Sequence, residues 1–110
     1  MKGFTGKLDR RLRIDRYSVT RDALNNPVEG WAPFITVATS KLDVSDRERF
    51  AAKQLGADIT TRFEIRYSVS AATVNAKDRI VFEGRTFDIF GVKEIGRREG
   101  FEISATARAD

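Results

Sequence analysis

Apolar and polar residues alternate with a period of two along most of this 110-residue chain, and that rhythm predicts β-strands. Leu8, Leu12 and Ile14 share one parity while Arg11, Arg13 and Asp15 take the other, so residues 8–17 read as a half-buried strand. Leu24-Asn25-Asn26-Pro27 then signals a turn, because asparagine tolerates left-handed geometry and proline stops a strand. Residues 31–39 are rich in β-branched and aromatic types and predict a second strand, whose start Pro33 confines to an edge or a bulge. Alternation returns over residues 60–67, with Phe63, Ile65 and Tyr67 on one face and Arg62, Glu64 and Arg66 on the other. Residues 68–77 are small and polar apart from Val74 and read as a loop. Strands follow at 79–83 and 85–93, joined at Glu83-Gly84, where glycine supplies the positive φ of a tight hairpin. Phe101, Ile103, Ala105 and Ala107 set one side of a last strand over 100–108.

The rhythm changes once. Ser45 with Glu48 fits a capping box, and Asp46 suits the positive end of a helix dipole. Phe50, Ala51, Gln54 and Leu55 supply a helical stripe that Gly56 is placed to end, so residues 46–55 predict the only helix. Six strands at short spacing around one inserted helix predict a mainly β fold. The expected form is a small antiparallel β-barrel or sandwich with the helix between strands two and three.

Length and composition narrow the chemistry. A chain of 110 residues has room for one core, so residues 1–110 are expected to form one domain. No apolar run approaches the ~18 residues needed to span a bilayer, and residues 1–7 lack the apolar centre of a signal peptide. The expectation is a protein made and used in a cytoplasm, or in a particle assembled there, with no membrane partner. Cysteine and histidine are both absent, which excludes disulfides, Cys/His zinc sites and the usual neutral-pH general base. Neither a calcium-loop spacing nor a phosphate-binding glycine loop is present. No catalytic residue, metal ligand or cofactor is therefore assigned, and the chain is expected not to be an enzyme.

The net charge of +4 is unevenly placed. Lys2, Lys7, Arg10, Arg11, Arg13, Arg16 and Arg21 face only Asp9 and Asp15 in the first strand region. That bias fits a surface meeting DNA or an acidic partner. It fits equally, and we favour this from the charge pattern alone, the solvated face of an edge strand. Among the aromatics, Phe63, Tyr67, Phe82, Phe87 and Phe101 alternate as core residues do, whereas Phe90 has the opposite parity and is expected to meet a neighbour. Trp31 and Phe34 suit either core packing, the favoured expectation, or a docking anchor.

The order of these motifs resembles one known family. A basic first strand (Gly6-Lys7-Leu8-Asp9-Arg10-Arg11-Leu12-Arg13-Ile14) precedes Pro27-Val28-Glu29-Gly30-Trp31. Arg47-Glu48-Arg49-Phe50-Ala51-Ala52 lies on the helix, and Arg62-Phe63-Glu64-Ile65-Arg66-Tyr67 follows. Then come Arg79-Ile80-Val81-Phe82-Glu83-Gly84-Arg85-Thr86-Phe87-Asp88-Ile89 and Gly96-Arg97-Arg98-Glu99. Taken together they resemble the head–tail joining proteins of long-tailed bacteriophages, the head-closure or stopper proteins of the connector, with related copies in prophages and gene transfer agents. One departure is the stretch Val37-Ala38-Thr39-Ser40, where members of that family often carry an aromatic.

The resemblance implies a small β-barrel that assembles into a six- or twelve-fold ring at the neck of a virion or virion-like particle. The ring would lie between an adaptor or head-completion protein above and tail terminator or tail tube proteins below, with packaged double-stranded DNA passing through its channel. It would seal that channel after packaging and offer the tail its docking surface. By position, residues 40–58 correspond to the family's channel-facing segment. Lys41, Asp46, Arg47, Glu48, Arg49 and Lys53 are then candidates for facing the channel or neighbouring subunits. With Asp43 and Asp58 the segment holds four basic and four acidic side chains, and that balance favours ring contacts over DNA contact. Arg10, Arg11, Arg13, Trp31, Phe90, Arg97 and Arg98 are partner-docking candidates. Residues 2–7 and 105–110 are expected to order only on assembly. Two rival readings stand beside this one: an oligonucleotide-binding barrel with Tyr67, Phe82 and Phe90 as stacking platforms, and another neck or tail ring such as the tail terminator.

Overall fold

The structure, a computed structural model, describes residues 7–108. Its elements are β1 (Arg10–Arg21), β2 (Pro27–Asp43), α1 (Asp46–Gln54), β3 (Thr61–Arg66), β4 (Arg79–Phe82), β5 (Arg85–Ile95) and β6 (Gly100–Ala107), with a single 3-10 turn at Ala71–Thr73. The strands close into a barrel in the order β1-β2-β3-β6-β5-β4, and every neighbouring pair is antiparallel. The expected mainly β fold is therefore found as a closed six-stranded barrel, with its helix between β2 and β3.

Inward parity fills the barrel. Leu12, Ile14, Phe63, Ile65, Ile80 and Ile103 are all buried, and the Phe63 ring meets Phe82 and Phe87 edge-on at centroid distances of 5.2 Å. Thr39 lies in the Val37–Ser40 stretch near the end of β2. It is wholly buried, and its hydroxyl donates to the Glu64 carbonyl at 2.8 Å. The stretch read as a loop contributes too: the 3-10 turn buries Ala71, and Val74 follows it into the core. Residues 105–108 belong to the last strand and the bond beyond it, with Ala105 fully buried and the Arg108 amide on the Thr86 carbonyl. The expectation that this tail orders only on assembly is overturned for those residues, because small side chains pack into the ladder as well as large ones. The same expectation for residues 2–6 and 109–110 lies outside the described residues.

β1 and β2 run far longer than their apolar pattern predicts, over Arg10–Arg21 and Pro27–Asp43. They separate into two regimes at a bulge, where Asp15 pairs with Pro33 and Ile14 with Ile35, leaving Phe34 as the extra residue. Below it the strands belong to the barrel. Above it, residues 16–21 and 27–32 form a two-stranded ribbon that pairs only with itself among the described residues. The described chain is elongated, 51 Å long against 30 and 24 Å across, and its 15.2 Å radius of gyration exceeds the ~13 Å expected of a compact chain this size. The ribbon turns through Asn25 at φ 64°, with the Asn25 amide on the Asp22 carbonyl and the Asp22 amide on the Asn26 carbonyl at 3.0 Å. This is a three-residue loop with a left-handed third residue, which asparagine accepts.

Candidate functional site

The closed barrel leaves three features outside its core, and most of the exposed large apolar side chains lie on them. The first is the ribbon. Tyr17 and Trp31 face each other across it, with ring centroids 5.5 Å apart and planes at 75°, and Val19 extends their face. The Tyr17 hydroxyl donates to Glu29 at 3.1 Å, which holds the phenol's pKa above its ordinary value. The Arg79 guanidinium lies 4.3 Å over the Trp31 ring and also approaches the buried Asp15 carboxylate at 3.6 Å. Trp31 remains 37% exposed, so the expectation that it joins the core is overturned: the bulge carries it past the barrel rim. Phe34, the bulged residue, does pack against the core, capped by Arg16 at 3.8 Å.

The second feature is α1. Ser45 caps it by accepting the Glu48 amide at 3.2 Å, and Gly56 ends it at φ 83°, as the sequence predicts. The helix buries no residue. Phe50 is 66% exposed and Leu55 89%, so the stripe read as apolar faces solvent, and Leu42 near the end of β2 is exposed as well. Glu48 does not complete a capping box, because its carboxylate pairs with Arg62 of β3. Lys41 pairs with Asp43 at 3.1 Å. Asp46, Arg47 and Lys53 are exposed, and Arg49 is half-buried with its Nε unpaired.

The third feature is the outer face of β5, the strand opposite β2 in the barrel. A bulge between Ile89 and Gly91 turns Phe90 outward, 54% exposed, in agreement with its parity. Arg97 and Arg98 are exposed on the turn between β5 and β6, where the Arg98 amide donates to Glu94 at 2.8 Å.

The remaining docking candidates are divided. Arg10 forks onto Glu83 at 2.7 and 3.1 Å, and Arg13 onto Asp15 at 2.7 and 3.1 Å, so both guanidiniums are engaged within the chain. Arg11 is exposed. Sequence reasoning missed Arg16 as a structural cation: it forks onto the buried Asp78 at 3.0 Å and reaches Thr73. Tyr67 stacks on Phe101, and Phe82 is buried, so two of the three suggested stacking platforms lie inward. A polar hollow of about 430 Å³ lies between Lys7, Arg10, Lys41, Arg62, Glu64 and Glu102. Glu64 and Glu102 stand opposite each other in the β3–β6 ladder, and one Glu64 oxygen is buried without a partner. No group of three or more carboxylates able to hold a metal occurs among the described residues.

A family model described as phage head completion protein matches residues 5–108. The solution structure of a Shigella flexneri 2a protein superposes with a TM-score of 0.76 at 28% identity, covering 96% of this chain and 97% of that one. A chain from the virion of a native gene transfer agent particle superposes with a TM-score of 0.57 at 18% identity, covering 96% of this chain and 99% of that one. The second likeness concerns the fold alone. No curated protein matches the sequence.

Proposed function

The chain belongs to the phage head completion protein family, and from that premise we propose that it is a structural subunit of a head–tail neck, assembled as a ring that closes the DNA channel after packaging and presents the tail with its docking surface. The observation that carries this reading is the placement of the exposed apolar residues. The barrel interior is filled by side chains, while Phe50 and Leu55 on the helix, Phe90 on the opposite flank, and Tyr17, Val19 and Trp31 on the ribbon all face outward. Large apolar groups held outward on distinct projections suit a protein buried by neighbours on several sides. Contacts around a ring need two different surfaces on opposite flanks of one subunit. α1 follows β2, and Phe90 lies on β5, which is opposite β2 in strand order, so the two meet that requirement. The occurrence of the same fold in a gene transfer agent virion supports a place in such a particle. A structural rather than catalytic role follows from the same reading.

The test is deletion of the gene in its producing strain, with electron microscopy and nuclease protection of the particles. Filled heads without tails, whose DNA leaks or is digested, are the expected outcome. Intact tailed particles with protected DNA would overturn the neck assignment.

A further inference from the structure

We propose that the free edge of β1, residues 16–21, is a strand-acceptor site: an extended, acidic segment of a neighbouring neck protein adds to it by main-chain hydrogen bonding. This rests on the reading of the chain as a neck component. The inference starts from the ladder. Hydrogen-bonded and non-bonded pairs alternate along antiparallel strands. The Asp22 amide bonds the Asn26 carbonyl, so in register Thr20 with Val28, Ser18 with Gly30 and Arg16 with Ala32 are bonded pairs. The residues between them, Tyr17, Val19 and Arg21 on β1 and Pro27, Glu29, Trp31 and Pro33 on β2, turn their main-chain groups away from the partner strand.

The two edges of the ribbon are not equivalent. On β2 the outward positions include Pro27 and Pro33, which lack an N–H, and proline at such sites blocks strand addition. On β1 every outward position keeps its donor and acceptor. β4 would cover this edge, but it pairs only with residues 13–15 and begins at Arg79. The chain before it turns aside through Asn75, whose amide bonds Asp78 at 3.1 Å and whose side chain accepts the Lys77 amide at 2.8 Å. A notch of about 300 Å³ lined by Arg16, Tyr17, Asn75, Lys77 and Asp78 is left where β4 would otherwise continue.

That shape admits an extended backbone, since only a strand satisfies a row of alternating donors and acceptors. Charge selects its composition. Lys77 and Arg21 are exposed at the two ends of the edge, and Asp78 is buried beneath Arg16. Every described strand of this chain already pairs within it, residues 1–6 hold Lys2 without a carboxylate, and residues 109–110 are too few to make a strand. The acidic strand is therefore assigned to a different protein.

Complementation of the deletion strain tests this. Val19→Pro removes a donor that faces only the free edge, at a half-exposed side chain, and proline is compatible with an edge strand. Glu29→Pro does the same on the edge already blunted by prolines. Wild type and Glu29→Pro should restore tailed particles to similar levels, whereas Val19→Pro should lower them at least about tenfold. Amide exchange of the purified Val19→Pro protein, with Phe63 and Ile103 protected as in wild type, verifies the barrel. In wild-type particles the amides of Tyr17, Val19 and Arg21 should be protected, and zero-length carbodiimide coupling should join Lys77 to a carboxylate of another protein. Unprotected amides in particles, full complementation by Val19→Pro, or coupling of Lys77 only to a second copy would overturn the proposal. Tailed particles in the uncomplemented deletion strain would instead overturn the neck reading itself.

Discussion

Single side chains carry more of this fold than their exposure suggests. Asp78 is nearly buried, yet it accepts the Arg16 fork at 3.0 Å and the Asn75 amide at 3.1 Å, so one carboxylate fixes β1 and the approach to β4 together. Replacing Asp78 with Ala leaves the one-third-exposed Arg16 guanidinium only its contacts with Thr73 and orphans the Asn75 main-chain donor. It should cost about 2 kcal/mol, less than a fully buried pair because Arg16 reaches solvent. That corresponds to a fall in Tm of roughly 10 °C, read by thermal unfolding. Tyr17 supplies a pH-dependent counterpart. Its hydrogen bond to Glu29 favours the neutral phenol and raises its pKa above the ordinary 10.0. The bond is thus intact below that ordinary value and is lost as pH rises through the raised one. In a Tyr67→Phe background, ultraviolet titration should find Tyr17 ionising above the ordinary value, and Glu29→Gln should move it down. An unmoved titration after Glu29→Gln would remove the bond as the cause. The role of Asp78 was not legible beforehand, because the Arg16–Asp78 contact joins residues 62 positions apart.

Among the elements, legibility followed burial. The barrel strands β3 to β6 were readable because one parity is apolar and the other polar, and Phe90 and Pro33 were rightly placed as exceptions, each at a bulge. The ribbon was not readable. Once a strand leaves the core both its faces meet solvent, so Ser18, Val19, Thr20, Val28 and Glu29 carry no apolar contrast. The helix was correctly placed by its cap and its glycine, yet its stripe misled, since helical spacing says which residues share a face and not what covers them. A nine-residue helix that buries nothing is held by its cap, its own hydrogen bonds and one exposed ion pair, Glu48 with Arg62, which is worth little in water. In the isolated protein, hydrogen exchange over residues 47–54 should therefore approach that of unfolded chain while Phe63 and Ile103 remain protected. Ser45→Ala, worth about 1 kcal/mol to the helix, should speed that exchange without moving the barrel's Tm. Strong protection of α1 in the monomer would contradict its reading as an element completed by a neighbour.

At the scale of the molecule, strand order and the sense of every pairing follow from antiparallel closure, but the elongated outline does not, since it depends on where two strands outrun their barrel partners. The sequence-level resemblance reached the family correctly, and what it left open was which surfaces the subunit offers. The joint between β1 and β4 has a consequence of its own. It consists of three residue pairs, far fewer than the ladder of β1 with β2, and it is spanned by Arg10 to Glu83, Arg16 to Asp78 and Arg79 to Asp15. A tube closed this way is a hoop fastened by rivets of opposite charge. Under tension it would part first along that line, and the surrounding salt sets part of its strength, because screening weakens the exposed Arg10–Glu83 pair more than the two pairs whose carboxylates are buried, and leaves the buried rings of Phe63, Phe82 and Phe87 untouched.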